Sequence, residues 1–318
     1  MVIAAGVAGA LAFRDHDSGR EEGPSQRPTQ AVPAVPSGTV LSSAEQPPAV
    51  DEPVVMAGRA GGVRVTALGE VQAVGTGADR RVAAGGDRLV SFTLADGPCQ
   101  AVDGCRGWAR LGLEVVVDDA RLPLPEGGPT FVVAVPVGGS ADLSFAADGY
   151  DQRVSLADGS STGRNIEVLT RSVRTFDLDA SATVEPVGDP PIEPHVRTVH
   201  VGEARLFFFR GRKGLEDPGQ AYLGIDVSYT RSDVTGRFAF YLSEVHLEGR
   251  DGTRFPKVDL DRSTEAPELA FVVPADFTRG TLVISGTRQA SGSRDDGSRA
   301  TFTLTLPRTA VPVVLPDE

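Results

Sequence analysis

Apolar residues in this chain alternate with polar ones in short runs, and that period of two constrains the fold more than any other feature. Val63-Arg-Val65, Leu89-Val-Ser-Phe92-Thr-Leu94, Leu113-Glu-Val115-Val-Val117, Leu143-Ser-Phe145 and Ile166-Glu-Val168 are examples from the first half. Turn dipeptides such as Asp96-Gly97, Asp103-Gly104, Asp148-Gly149 and Asp158-Gly159 separate such runs. Side chains repeating every second residue share one face of a strand, whereas a helix needs a 3.6-residue repeat. Short strands with a turn every ten or so residues predict an antiparallel β-sandwich. The 37 glycines, 23 prolines and an aromatic content of only 6% suit strands and turns better than long helices.

The second half repeats the pattern, from Val199-His-Val201 through Tyr222-Leu-Gly-Ile225-Asp-Val227-Ser-Tyr229 to Phe302-Thr-Leu304-Thr-Leu306. Phe131-Val-Val-Ala-Val-Pro136 with Leu143-Ser-Phe145 matches Phe271-Val-Val-Pro274 with Leu282-Val-Ile284. Each reads as a buried strand stopped by proline, a loop of seven or eight residues, and an alternating strand. The expectation is an all-β chain of two tandem antiparallel β-sandwiches, at 60–183 and 198–308. A spacer at 184–197, carrying Pro186, Pro190, Pro191 and Pro194, would separate them, and a tail would occupy 309–318.

Residues 1–13 are uncharged and mostly apolar, and Arg14-Asp15-His16-Asp17 follows. As a helix the run spans roughly 20 Å, short of a ~30 Å hydrocarbon core. It reads as the outer end of a signal-anchor helix whose start lies upstream; a complete signal peptide and a plain apolar N-terminus are the alternatives. Residues 14–59 hold Pro24, Pro28, Pro33, Pro36, Pro47, Pro48 and Pro53 among Ser, Gln, Ala and Glu, and read as a disordered stalk. An anchor and a stalk would place the remainder on the cell surface, or the chain would be secreted.

The strand–proline–loop–strand ending, found twice beyond an anchor and stalk, resembles a known group. It is similar to the immunoglobulin-like domains of secreted and membrane-anchored proteins of high-GC Gram-positive bacteria, the immunoprotective extracellular antigen type. Arginine-rich usage, with Lys213 and Lys257 the only lysines, fits that source. The resemblance implies an extracellular all-β module without shared catalytic residues, so no site residue transfers from it.

Several residue sets invite chemistry. Cys99 and Cys105 bracket five residues; oxidised, they would close a small ring worth about 2 kcal/mol. That is the default in an oxidising compartment. Gly159-Ser160-Ser161-Thr162-Gly163 fits the Gly-x-Ser-x-Gly pattern, which needs a strand before the serine and a helix after it. Here Arg164-Asn-Ile166-Glu-Val168 follows and reads as strand, so the segment is taken as a hairpin turn. His16, His195, His200 and His246 lack zinc-enzyme spacing, though His200 and His246 could meet across neighbouring strands. Asp259, Asp261, Ser263 and Glu265 alternate oxygen donors as a calcium loop does, but the EF-hand glycine and the terminal glutamate are missing, and a solvated acidic loop is the plainer reading.

The densest unusual patch is Phe207-Phe208-Phe209-Arg210-Gly-Arg212. On a strand its three rings cannot all enter one core, which leaves a partner-binding surface or packing under a second domain. A net charge of −12 argues against a sequence-independent grip on nucleic acid or anionic lipid. The resulting expectation is a non-enzymatic, membrane-anchored binding protein that needs no cofactor or metal, with a protein or another envelope component as partner. A carbohydrate- or small-ligand-binding module is the alternative, and an extracellular hydrolase ranks third.

Overall fold

The computed structural model describes residues 32–100, 104–187, 197–231, 234–237, 240–260, 267–294 and 296–315. Among them there is no α-helix, only strands and short 3-10 turns. The first eleven strands are β1 (Ala34–Val35), β2 (Val40–Ser43), β3 (Ala49–Ala57), β4 (Gly62–Val71), β5 (Val82–Ala83), β6 (Asp87–Gly97), β7 (Glu114–Val117), β8 (Ala120–Pro123), β9 (Thr130–Pro136), β10 (Ala141–Ala147) and β11 (Tyr150–Ser155). They build an antiparallel sheet in the order β2-β9-β6-β4-β3 and a second in the order β11-β10-β7-β8.

Alternation decides which side chains meet between these sheets. Phe92, Phe131 and Val133 from one join Val115, Leu143 and Val154 from the other in a common core. Strand β9 reads as an unbroken apolar run because both of its faces are covered. Phe131, Val133 and Val135 enter that core, while Val132 and Ala134 pack with Val35 and Leu89 under the short parallel pair β1-β5.

The remaining strands are β12 (Thr175–Thr183), β13 (Glu185–Val187), β14 (Arg197–Phe207), β15 (Gln220–Arg231), β16 (Val234–Arg237), β17 (Tyr241–Gly249), β18 (Arg254–Pro256), β19 (Leu269–Pro274), β20 (Arg279–Ser293) and β21 (Arg299–Val314). One sheet runs β12-β14-β15, with β16 and β19 both pairing β15 at different ends, and the other runs β13-β21-β20-β17-β18. The pairing order of the first set recurs. The order β3-β4-β6-β9 corresponds to β12-β14-β15-β19, and β8-β7-β10-β11 to β18-β17-β20-β21. Register breaks recur as well, at Val65/Ala67 and Val201/Ala204, and again at Ala49/Val54 and Asp177/Ala180. After Pro136 and after Pro274 the chain changes sheets. Each connection is four residues, 137–140 and 275–278, rather than the seven or eight expected.

Other boundaries also differ from expectation. Residues 34–57 are not a stalk: they form β1, β2 and the edge strand β3. Their prolines are tolerated because Pro47 and Pro48 precede β3, while Pro53 sits where its register against β4 shifts, positions that need no ladder donor. Residues 1–31, including the expected anchor, lie outside the described residues. Strand β12 pairs with β14 and so belongs with the second set, ahead of the boundary placed at 183. Part of the expected spacer forms the edge strand β13, which pairs with β21, while residues 188–196 lie outside the described residues. The expected tail continues β21 to Val314, where Val311 and Val313 enter the core. Glu167–Thr170 is a 3-10 turn rather than a strand, and it buries Val168 and Leu169.

Candidate functional site

The phenylalanine segment lies where the two strand sets meet. Strand β14 ends at Phe207, and the two residues beyond it turn inward: Phe208 and Phe209 are buried and contact each other edge to face. Phe208 also meets the ring of Tyr150 from β11 at 5.3 Å, edge to face. Gly214 permits this approach, since a Cβ there would lie 2.6 Å from the Phe208 ring and 3.0 Å from the Tyr150 hydroxyl. The Tyr150 hydroxyl donates to the Leu215 carbonyl, and burial holds that phenol above its ordinary pKa. These two phenylalanines therefore belong to an internal junction, not to a partner-binding surface. The expectation for them is corrected, because the 3-10 turn at 167–170 and β11 cover the face that would have been open.

Phe207 is half-buried, stacked on Tyr222 at 5.2 Å with the Arg205 guanidinium 5.7 Å from its ring centre. Arg210 and Lys213 close a tight turn through paired backbone bonds, and Arg212 is exposed at its tip. Arg210 also donates to the Asp259 carbonyl at 3.3 Å.

Further hydrogen bonds tie the sets together. Arg164 Nη2 donates to the Glu216 carbonyl at 2.7 Å, and the Glu167 N–H donates to the Pro218 carbonyl at 3.2 Å. Arg171 Nη1 reaches the carbonyls of Ala275 and Phe277 at 3.0 and 2.9 Å. Tyr150, Ile166, Val168 and Leu169 consequently pack into the same apolar cluster as Val199, Leu223 and Phe271.

Cys99 and Cys105 are joined as a disulfide. In the Gly-x-Ser-x-Gly segment, the Ser160 N–H donates to the Asp158 carboxylate at 3.0 Å and Ser160 Oγ donates to the same oxygen at 2.7 Å, holding that carboxyl below its ordinary pKa. Ser161 bridges back to Val154, and Asn165 Nδ2 donates to its hydroxyl at 3.3 Å. The pattern puts its nucleophile at the central Ser161, whose hydroxyl accepts from the Asn165 amide, a donor that cannot take the serine's proton as an activating base would.

His200 and His246 do not meet: the first pairs with Ser181 and Ser228 in one sheet, the second with Pro256 and Val283 in the other. His16 and His195 lie outside the described residues, as do Asp261, Ser263 and Glu265. Asp259 pairs with Lys257 at 3.1 Å, and among the described residues no three His, Cys, Asp or Glu side chains are placed to hold a metal ion.

Sequence reasoning missed two ladders of charge on corresponding outer faces. On the β11-β10-β7-β8 sheet, Asp151 accepts from Arg153 at 2.6 Å, Ser144 at 3.0 Å and Arg121 at 3.5 Å, and Arg121 also reaches Glu114 at 3.0 Å. On the β13-β21-β20-β17-β18 sheet, Glu244, His246 and Glu248 alternate along β17. His246 Nε2 lies 3.1 Å from Glu248, which Arg254 meets at 2.9 Å, and Arg308 meets Glu244 at 3.2 Å. The Glu-x-His-x-Glu spacing was the available signal, since such residues share one strand face.

Asp151 is held below the ordinary carboxylate pKa, first by its bond from Arg153 and then by Ser144 and the charge of Arg121. A group with a depressed folded-state pKa adds stability above its unfolded value and loses it as pH falls through the folded one. Because both partners are partly open to solvent, which screens the pair, Asp151→Asn should cost no more than about 1 kcal/mol near neutral pH. The difference from the parent should shrink as pH drops below about 4. Urea unfolding at several pH values measures both, and a pH-independent difference would refute this assignment.

Comparison with protein-family models, with curated proteins and with solved structures returns no match to this chain.

Proposed function

We propose that this chain is a cell-surface protein whose two immunoglobulin-like sandwiches form one stiff block, and that it acts by binding, without catalysis. The observation that carries the reading is the repeated pairing order together with the hydrogen-bonded junction. Strands β4-β6-β9 facing β8-β7-β10-β11 fit a seven-stranded Greek-key arrangement of the immunoglobulin-like kind, with β3 added at one edge and β2 at the other. The same order in β14-β15-β19 and β18-β17-β20-β21 fits duplication of one module. A binding module of this build gains from a rigid junction, because a pre-organised surface loses less freedom on association.

The Cys99–Cys105 disulfide favours an oxidising compartment. The partner is then a protein or another envelope component, and the membrane is engaged only through residues 1–13. A carbohydrate-binding module would call for a platform of exposed rings, whereas Tyr241 is the one exposed aromatic among the large apolar side chains of the described residues.

Compartment and disulfide are tested together. Protease added to intact cells is expected to degrade the chain, and alkylation of the denatured, unreduced protein is expected to find no free thiol. Full protection from protease in unlysed cells, with both thiols alkylated, would overturn the reading.

A further inference from the structure

The Cys99–Cys105 disulfide sits at the junction, and the side chain next to Cys99 bridges it. Gln100 follows Cys99 directly, and both the oxygen and the nitrogen of its amide bond the backbone beyond β14. Its Oε1 accepts from the N–H groups of Phe208 at 2.9 Å and Phe209 at 3.0 Å, and its Nε2 donates to the Phe209 carbonyl at 2.7 Å. These groups lie just past the last paired residue of β14, so Gln100 supplies them with what a neighbouring strand otherwise would.

The far end of the ring is fixed to the first strand set, since the Arg106 N–H donates to the Ala60 carbonyl at 2.8 Å and Arg106 bridges Gly61. Arg174, which leads into β12, adds a weaker bond from Nη2 to the Cys99 carbonyl at 3.4 Å. Burial disfavours the charge of Arg174, so this carbonyl contact lies in a partly desolvated place.

We propose that the Cys99–Cys105 ring is a redox-responsive clasp that locks the two strand sets together through Gln100. Cys105 is exposed and Cys99 is buried, so a dithiol reductant approaches from the Cys105 side. Its thiolate bonds to the Cys105 sulfur, and the disulfide breaks with its electron pair leaving on Cys99. The second reductant thiol then displaces Cys105. Two electrons and two protons pass to the protein, which ends with two thiols, while the reductant ends as a disulfide. Cys99 and Cys105, whose Cα atoms are held 6.0 Å apart in the ring, are then free to separate, and Gln100 loses its fixed approach to Phe208 and Phe209.

Hydrogen exchange of the full chain tests it, with and without dithiothreitol under native conditions. Reduction is expected to raise exchange of the Phe208 and Phe209 amides about tenfold, as expected for loss of roughly one net hydrogen bond, while the Phe92 and Phe131 amides stay protected. Gln100→Ala should give the same local rise in the oxidised protein, with no further change on adding the reductant. The Cys99→Ser/Cys105→Ser double variant should behave as the reduced protein. Unchanged protection at Phe208 and Phe209 on reduction would overturn the clasp. So would equal loss across all amides, which would make the disulfide a global staple.

Discussion

Replacing Phe208 by alanine is expected to destabilise the protein by about 3–5 kcal/mol, the cost of removing a fully buried aromatic and leaving a cavity. Its ring touches Tyr150, Phe209 and the backbone at Gly214, so the cavity would open between the strand sets rather than inside one of them. Phe207→Ser should cost much less, about 1 kcal/mol, because Phe207 is half-buried and loses mainly its stacking on Tyr222. Urea unfolding followed by circular dichroism compares the two. Equal effects, or a silent Phe208→Ala, would contradict the inward placement of Phe208. Soluble, folded Phe207→Ser protein would also show that the exposed side of this segment is dispensable for stability.

Gln152→Leu is the second change with a large expected effect. Gln152 is fully buried on β11, and its amide is matched to the backbone at the end of β3. Nε2 donates to the Ala57 carbonyl at 3.0 Å, and Oε1 accepts from the Ala57 N–H at 3.2 Å. Leucine fills a similar volume but strands a buried N–H and a buried C=O, each costing about 1–3 kcal/mol. A net loss of about 3 kcal/mol is therefore expected, with the end of β3 gaining hydrogen exchange first. If Gln152→Leu were neutral or stabilising in urea, the amide would be a replaceable filler and not the tie between β3 and β11.

Some of this architecture was legible in the sequence and some was not. Leu143-Ser-Phe145 and Leu282-Val-Ile284 were readable as strands because a strand's two faces separate in sequence by parity alone. Pro136 and Pro274 marked strand ends because proline lacks the donor a ladder needs. The same rule misled between residues 34 and 57. Proline also fits an edge strand at a register break, and only the pairing of β3 with β4 places Pro53 there. Ile166-Glu-Val168 alternated like a strand but lies at a 3-10 turn, where Ile166, Val168 and Leu169 are all buried at the junction. Gln100 and Gln152 carried no signal at all, since an amide becomes a structural tie only when distant backbone is brought within reach of it.

The order of residues set the class of element, the faces available for burial and the punctuation between strands, because those follow from local backbone geometry and side-chain parity. Folding in three dimensions is what turns Phe208 and Phe209 inward, brings residues 34–57 into a sheet, and carries Gln100 beside the disulfide across to a second strand set. Those outcomes depend on contacts between residues such as Gln100 and Phe209, or Gln152 and Ala57, separated by 109 and 95 positions. No local preference encodes them, and only the folded chain brings them together.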